Sequence, residues 1–136
     1  MDECVLDASA ILACLNDEPG GMEIVALTRN ARCLVTAINW SEVLARLLDW
    51  GMPAAAAHEA ATSIEYQIVT FDDRLAKRCA ELRPATRPKG LSLGDRACLA
   101  LAGHTGAPVY TADRPWLELA GPLQLDIRCI RPDTHF

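Results

Sequence analysis

The chain has 136 residues, 51% of them hydrophobic, which predicts one compact domain spanning residues 1–136 with its own core. The formal net charge of −5 argues against a protein that binds nucleic acid through bulk positive charge, but it does not exclude a local basic surface. The apolar first 16 residues carry acids and lack a basic start, so we expect a cytoplasmic protein without a signal peptide or membrane span.

Strand and helix patterns alternate along the chain, which is typical of an α/β domain with a parallel sheet. The first half predicts a strand at 3–6, helices at 10–15 and 22–28, and a strand at 32–36. Asn39 or Ser41 is expected to cap the next helix, which puts Glu42 in its first turn. Pro53 then begins an alanine-rich helix that continues to about Ser63.

The second half predicts a strand at 66–71, a helix capped by Asp72 that continues to Leu82, and a loop at 83–90. The Ser92-Leu93-Gly94-Asp95 segment fits a capping box and leads into an apolar helix at 97–102. A strand at 109–111, a helical turn at 114–117, a strand at 125–130 and a loose tail after Pro132 complete the prediction.

Four carboxylates lie near the points where apolar runs give way to helices, and these are Asp7, Glu42, Asp95 and Asp113. Each has a structural explanation on its own. An acid in a first helical turn gains roughly 0.3–1 kcal/mol from the helix dipole, which would account for Glu42 and Asp95. Asp7 and Asp113 could cap helices through a side-chain oxygen.

Together the four acids favour a metal site. Junctions between parallel strands and helices face the same edge of a sheet, so these carboxylates should converge there. A converging acidic cluster suits Mg²⁺ or Mn²⁺, and such ions promote phosphodiester hydrolysis by lowering the pKa of a water and neutralising the phosphate. Ser9 and Thr111 could hydrogen-bond these acids and fix their rotamers, although helix capping explains both residues equally well.

Six of the 13 lysine and arginine residues fall in one stretch before Asp95, namely Arg74, Lys77, Arg78, Arg83, Arg87 and Lys89. A solvated helix face is the ordinary explanation, but a phosphate backbone could also run along this stretch. The cysteines have no C-x-x-C spacing and are expected to be buried, reduced thiols.

Four segments of the chain jointly resemble PIN-domain nucleases, and in particular the VapC-type toxins of bacterial type II toxin–antitoxin pairs. The matching segments are Val5-Leu6-Asp7-Ala8-Ser9-Ala10, Asn39-Trp40-Ser41-Glu42-Val43-Leu44, the stretch from Gly90 to Ala100 around Asp95, and Thr111-Ala112-Asp113-Arg114. Their order and spacing agree with the family over nearly the whole chain.

The resemblance implies a PIN-like three-layer α/β/α fold with a mostly parallel central sheet, and an endoribonuclease that depends on Mg²⁺ or Mn²⁺. It implies that Asp7 and Asp95 contact the metal while Glu42 and Asp113 complete the acidic pocket. It further implies a homodimer and a cognate antitoxin that inserts a segment into the cleft. Many relatives carry another acid soon after the fourth, whereas Trp116 stands three residues beyond Asp113 here, which puts a second metal ion in doubt.

Two alternative functions remain open from the sequence. Phosphoryl transfer through an aspartyl intermediate would use Asp7 as the nucleophile, although Ala8 and Ser9 supply no second acid. A non-catalytic, partner-regulated RNA-binding module would keep the fold without turnover, because a fold does not guarantee a function.

Overall fold

The computed structural model describes residues 2–132, in which five parallel strands form one sheet. The strands are β1 (Glu3–Leu6), β2 (Arg32–Thr36), β3 (Gln67–Val69), β4 (Val109–Thr111) and β5 (Ile127–Cys129). Their order is β3-β2-β1-β4-β5, and every neighbouring pair is parallel. The later strands therefore lie on both sides of the central strand β1, and this reversal of strand order opens a crevice at the carboxyl edge between β1 and β4.

Helices cover both faces of the sheet. They are α1 (Ala8–Leu15), α2 (Gly21–Asn30), α3 (Ala37–Asp49), α4 (Ala54–Ala61), α5 (Asp73–Glu81), α6 (Arg83–Thr86), α7 (Leu93–Thr105) and α8 (Ala120–Leu123). Alternate residues of β1 enter two different cores: Val5 packs with α5 and α7, whereas Cys4 and Leu6 pack with α1 and α3. This arrangement confirms the predicted three-layer α/β/α fold, with a fully parallel sheet.

Thr36, the last residue of β2, caps α3, which corrects the expectation that Asn39 or Ser41 does so. Its side chain accepts the backbone N–H of Asn39 at 3.0 Å, because the strand passes into the helix without a loop. Glu42 consequently lies in the second turn of α3, and the prediction that it occupies the first turn is wrong.

Other predicted boundaries differ in smaller ways. The predicted loop at 83–90 contains α6 and a 3₁₀ turn at Arg87–Lys89, each with a proline near its start, where proline is well tolerated. The caps at Asp72 and Ser92 are confirmed, and Ser92 forms the full capping box with Asp95. The predicted loose tail after Pro132 lies outside the described residues.

All six cysteines are free thiols, as expected, and four of them are buried. Cys14 and Cys129 are half-buried, so the expected burial is incomplete at these two positions. None of the helices between residues 2 and 132 has the length and apolar character needed to cross a bilayer.

Candidate active site

The four predicted acids line one cavity of about 410 Å³ at the carboxyl edge of the sheet. Asp7 directly follows β1, Asp113 follows β4, Glu42 comes from α3, and Asp95 comes from the first turn of α7. Asp7 is buried, Asp95 is half-buried, and the other two are exposed to the cavity. The predicted convergence of the carboxylates is therefore present in the fold.

Asp7 is the most constrained of the four acids. One of its oxygens caps α1 by accepting the N–H of Ala10 at 2.8 Å, which satisfies the structural explanation given above. The other accepts the hydroxyl of Thr111 at 2.6 Å. The hydroxyl of Ser9 lies 2.7 and 2.8 Å from the two oxygens, so Asp7 cannot change rotamer without losing several bonds.

The two hydroxyl groups are oriented by the backbone of the β4–α8 connection. Ser9 Oγ accepts the N–H of Ala112 at 2.9 Å, and Thr111 Oγ1 accepts the N–H of Asp113 at 3.0 Å. Since each hydroxyl then has its single proton free to donate, both protons can point at Asp7. The expectation that Ser9 and Thr111 hydrogen-bond the acids is met in the geometry, and the same bonds tie the ends of β1 and β4 together.

Burial raises the pKa of Asp7 from its usual value of 3.8 to about 6. The hydrogen bonds from Thr111, Ala10 and Ser9 lower this pKa, while the negative charge of Asp95 raises it further. No cation pairs with this buried carboxyl among residues 2–132. Asp7 therefore holds its charge only through neutral donors.

Glu42 is held in place by Asn39, a buried residue on the same helix. The Asn39 amide donates to Glu42 Oε1 at 2.9 Å and to the backbone carbonyl of Gly94 at 3.0 Å, which joins α3 to the start of α7. Gly94 allows this approach, because a β-carbon at that position would overlap the Glu42 carboxyl group. Burial and then the charge of Asp95 raise the pKa of Glu42, against the effects of Asn39 and Arg46.

Asp95 acts electrostatically on each of the other three acids. Its charge raises the pKa values of Asp7, Glu42 and Asp113, although burial is the largest cause in every case. One Asp95 oxygen accepts the N–H of Ser92 at 3.0 Å and completes the capping box. The structural and functional explanations of Asp95 therefore coexist, because its second oxygen accepts no hydrogen bond from the described residues.

Asp113 does not cap a helix through its side chain, which corrects one structural explanation offered for it. Burial, followed by the charge of Asp95, raises its pKa, and the side chain of Trp116 opposes that shift. Trp116 is only 1% exposed and belongs to the core. Position 116 therefore contributes packing and no additional acid to the cavity.

Basic residues at the cavity are Arg46 and Arg131, and neither belongs to the predicted basic stretch. Arg131 donates to Glu18 at 3.0 Å, and its carbonyl accepts a hydrogen bond from Arg114 at 2.9 Å. These bonds form one wall of the cavity. The six residues of the basic stretch are exposed but do not line it, so the expected phosphate path beside Asp95 lacks their support.

A family model for the PIN domain matches residues 4–122. The chain belongs to the PIN domain family. Comparison with curated protein sequences gives no match. The PIN assignment therefore rests on a match that includes all four acids.

Solved structures share the fold of this PIN domain. VapBC2 of Rickettsia felis, bound to a DNA fragment from its promoter, superposes with a TM-score of 0.73 at 16% identity, covering 93% of this chain and 98% of that chain. VapBC-1 of nontypeable Haemophilus influenzae gives 0.69 at 13% identity, covering 93% and 97%. VapBC-5 of Mycobacterium tuberculosis gives 0.60 at 23% identity, covering 97% and 100%.

The donor set of this PIN domain fits a hard cation held partly by water. Between residues 2 and 132, no three His, Cys, Asp or Glu side chains are grouped closely enough to hold a metal ion by themselves. Mg²⁺ commonly uses only one or two protein carboxylates and keeps several waters. Asp7 and Asp95 would meet that requirement, since both bring hard oxygen donors to the cavity and no cation between residues 2 and 132 pairs with Asp7.

Sequence reasoning gave no role in the site to several residues that shape it. Asn39 and Gly94 position Glu42, and the cavity wall includes Arg46 and Glu18. The N-x-x-E spacing from Asn39 to Glu42 was a usable signal, because residues three apart on a helix are neighbours. No local signal links Glu18 with Arg131, which lies 113 residues further along the chain.

Proposed function

We propose that this PIN domain is a Mg²⁺- or Mn²⁺-dependent endoribonuclease that hydrolyses RNA phosphodiester bonds. One observation carries the proposal: Asp7, Glu42, Asp95 and Asp113 line one cavity, and no cation between residues 2 and 132 pairs with the buried Asp7. Carboxyl groups with perturbed pKa values in a shared cleft are typical of functional sites. A cation would relieve their repulsion and allow a phosphate to approach.

In this proposal, Asp7 and Asp95 hold the ion, and Glu42 and Asp113 orient water molecules at the exposed side of the cavity. The bound ion would lower the pKa of a water and neutralise charge on the phosphate. Ser9 and Thr111 keep the Asp7 oxygens aimed into the cavity. Such supporting hydrogen bonds commonly affect metal affinity by about 10- to 100-fold.

Replacement of Asp95 by asparagine tests the proposal. Asparagine keeps a side-chain oxygen for the N–H of Ser92, so helix α7 should remain capped while the negative charge is lost. We expect Asp95→Asn to lower cleavage of a mixed cellular RNA pool at least about 100-fold. The affinity of the Asp95→Asn protein for Mn²⁺, measured by calorimetry, should also be lower than that of wild type.

The matched control for this experiment is Asp126→Asn, which removes one carboxylate at the opposite end of the sheet. Cleavage by Asp95→Asn at the wild-type rate, with a folded protein, would contradict the proposal. RNA binding without cleavage in either Mg²⁺ or Mn²⁺ would instead favour the non-catalytic RNA-binding module.

We further propose that the protein is the toxin of a type II toxin–antitoxin pair, acts in the cytoplasm and forms a homodimer. Two solved structures that share its fold support a toxin assignment: VapBC-5 of Mycobacterium tuberculosis belongs to the VapBC family of toxin–antitoxin systems, and a second structure is a toxin–antitoxin complex from Klebsiella pneumoniae. Co-expression of the adjacent reading frame should give a complex with blocked RNA cleavage, and unchanged cleavage in that complex would contradict the assignment.

A further inference from the structure

One side of helix α3 carries an acid, a cation and an aromatic residue at intervals of four. Glu42, Arg46 and Trp50 all line the cavity. A step of four residues advances about 6 Å along a helix and turns it by slightly more than one revolution. These side chains therefore form a row that leads from the acidic floor of the cavity towards solvent.

Trp50 differs from the other two tryptophans of the chain. It is 44% exposed, whereas Trp116 is 1% exposed and Trp40 is half-buried against His58. Its backbone is well anchored as the C-cap of α3, because its N–H donates to the carbonyl of Arg46 at 3.0 Å. Core packing accounts for Trp40 and Trp116, but it leaves the exposed face of Trp50 unexplained.

Arg46 provides a cation that is still able to bind an anion. Its guanidinium group makes no hydrogen bond or ion pair with another residue between positions 2 and 132, whereas Arg131 is paired with Glu18 at 3.0 Å. Its charge reaches the catalytic floor, because it lowers the pKa of Glu42 against the larger effect of burial. Arg46 can therefore hold a phosphate close to the acids.

We propose that Arg46 and Trp50 form a subsite for an unpaired nucleotide next to the scissile phosphate. The proposal rests on the ribonuclease function given above. Arg46 binds the neighbouring phosphate through its fork of N–H donors, and Trp50 stacks on the base. The nucleotide in this subsite must be unpaired, because a base inside an A-form duplex cannot present its face to an aromatic side chain.

Charge complementarity favours a phosphate backbone as the occupant of this row. The acidic floor repels a phosphate chain, so a backbone that passes the cavity needs a cation beside the acids. A groove that combines a cation with an exposed aromatic ring is the usual design for binding single strands without strict sequence preference. Arg46 and Trp50 supply one of each, one helical turn apart.

Binding without cleavage tests the subsite directly. The Asp95→Asn protein is titrated in chelator with a fluorescently labelled, mixed-sequence single-stranded RNA and with the matching duplex. Adding Trp50→Ala should weaken binding of the single strand about tenfold, and Trp50→Phe should retain most of the affinity. Arg46→Gln should reduce the slope of log affinity against log salt by about 0.7, while Arg46→Lys should preserve it.

Two matched controls separate the subsite from general effects on the surface. Leu48→Ala removes a residue of similar exposure, 47%, from the same end of α3, outside the cavity lining. Arg29→Gln removes one exposed positive charge from α2. Neither control should change the affinity for single-stranded RNA or the salt dependence.

The possible results distinguish the subsite from the nuclease proposal. RNA cleavage by the wild-type protein, combined with control-like binding by Trp50→Ala and Arg46→Gln, overturns the subsite and leaves the nuclease intact. Equal effects of Trp50→Ala on single-stranded and duplex RNA also overturn it. If Trp50→Ala converts a dimer into a monomer and leaves RNA affinity unchanged, the row is a self-association surface. That result also overturns the subsite.

Discussion

The most deeply placed acids at the two ends of the parallel sheet have different partners. At the amino end, Arg32 lies 3.4 Å from Glu3, and Arg128 lies 2.8 Å from Asp126, so each cation has an acid beside it. At the carboxyl end, four acids share a cavity, and between residues 2 and 132 the most buried one has only neutral hydrogen-bond donors.

Charged groups at the amino end of the sheet stabilise the fold, whereas those at the carboxyl end oppose it. At the amino end, hydrogen bonds to Asp126 and Tyr110 raise the pKa of Arg128 and so favour its charged form. At the carboxyl end, burial and like charge raise the pKa values of Asp7, Glu42 and Asp113. Burial and like charge at this cluster oppose folding, and a functional role explains that cost because activity often requires a destabilised site.

The largest expected effect on stability concerns Asp7. Its pKa is about 6 in the folded protein and 3.8 in its usual state, so the folded protein holds an additional proton between these values. Stability should therefore fall as the pH rises through this window, by about 2–3 kcal/mol for this group. In chelator, the unfolding free energy of Asp7→Asn minus that of wild type should therefore rise by that amount from pH 4 to pH 7.

Asparagine is a suitable replacement for Asp7, because it caps helices as well as aspartate and can still accept the N–H of Ala10. Chemical denaturation at pH 4, 5, 6 and 7 measures the difference, and the subtraction cancels the titration of groups that both proteins share. A difference that stays constant across this range would contradict the raised pKa of Asp7. Asp7→Asn should also abolish RNA cleavage despite its higher stability at pH 7.

The next effect concerns Gly94, where activity and stability should separate. A β-carbon at Gly94 would displace the Glu42 carboxyl group, yet alanine is tolerated in a helical turn. We expect Gly94→Ala to lower RNA cleavage about tenfold, equivalent to about 1.4 kcal/mol in the barrier. Its melting temperature should stay close to that of wild type.

Gly103→Ala is the matched control for Gly94→Ala, because it places the same substitution on the same helix outside the cavity lining. Its β-carbon would meet Arg78 Nη1 at 3.3 Å, which a flexible side chain can accommodate. Equal cleavage by Gly94→Ala and Gly103→Ala would show that the position of Glu42 does not matter for the reaction.

The sequence predicted the central strands and the four acids because both depend on local patterns. The bounds of β1, β2 and β4 match the prediction, since short apolar runs followed by polar helix starts define them. The strand order then brings Asp7 and Asp113 together at adjacent junctions. The rules of parallel-sheet topology were therefore enough to predict, from local motifs, that these acids lie at one edge of the sheet.

The contacts that helix α3 makes with distant parts of the chain could not be predicted in the same way. The cap at Thr36 starts this helix earlier than expected. The amide of Asn39 also reaches the carbonyl of Gly94, which is 55 residues away, so only the assembled fold reveals its role. Only the assembled fold likewise shows that Arg46 and Trp50 line the cavity.

The smallest expected effect concerns the amino end of the sheet. Arg128→Gln removes an exposed ion pair with Asp126 and a hydrogen bond to Tyr110. Exposed pairs of this kind contribute about 0–1 kcal/mol, so the unfolding free energy should fall by no more than that. RNA cleavage should remain at the wild-type rate, because the substitution leaves the acidic cavity unchanged. A large loss of cleavage, measured beside Asp7→Asn at equal salt, would mean that the two ends of the sheet are not functionally distinct.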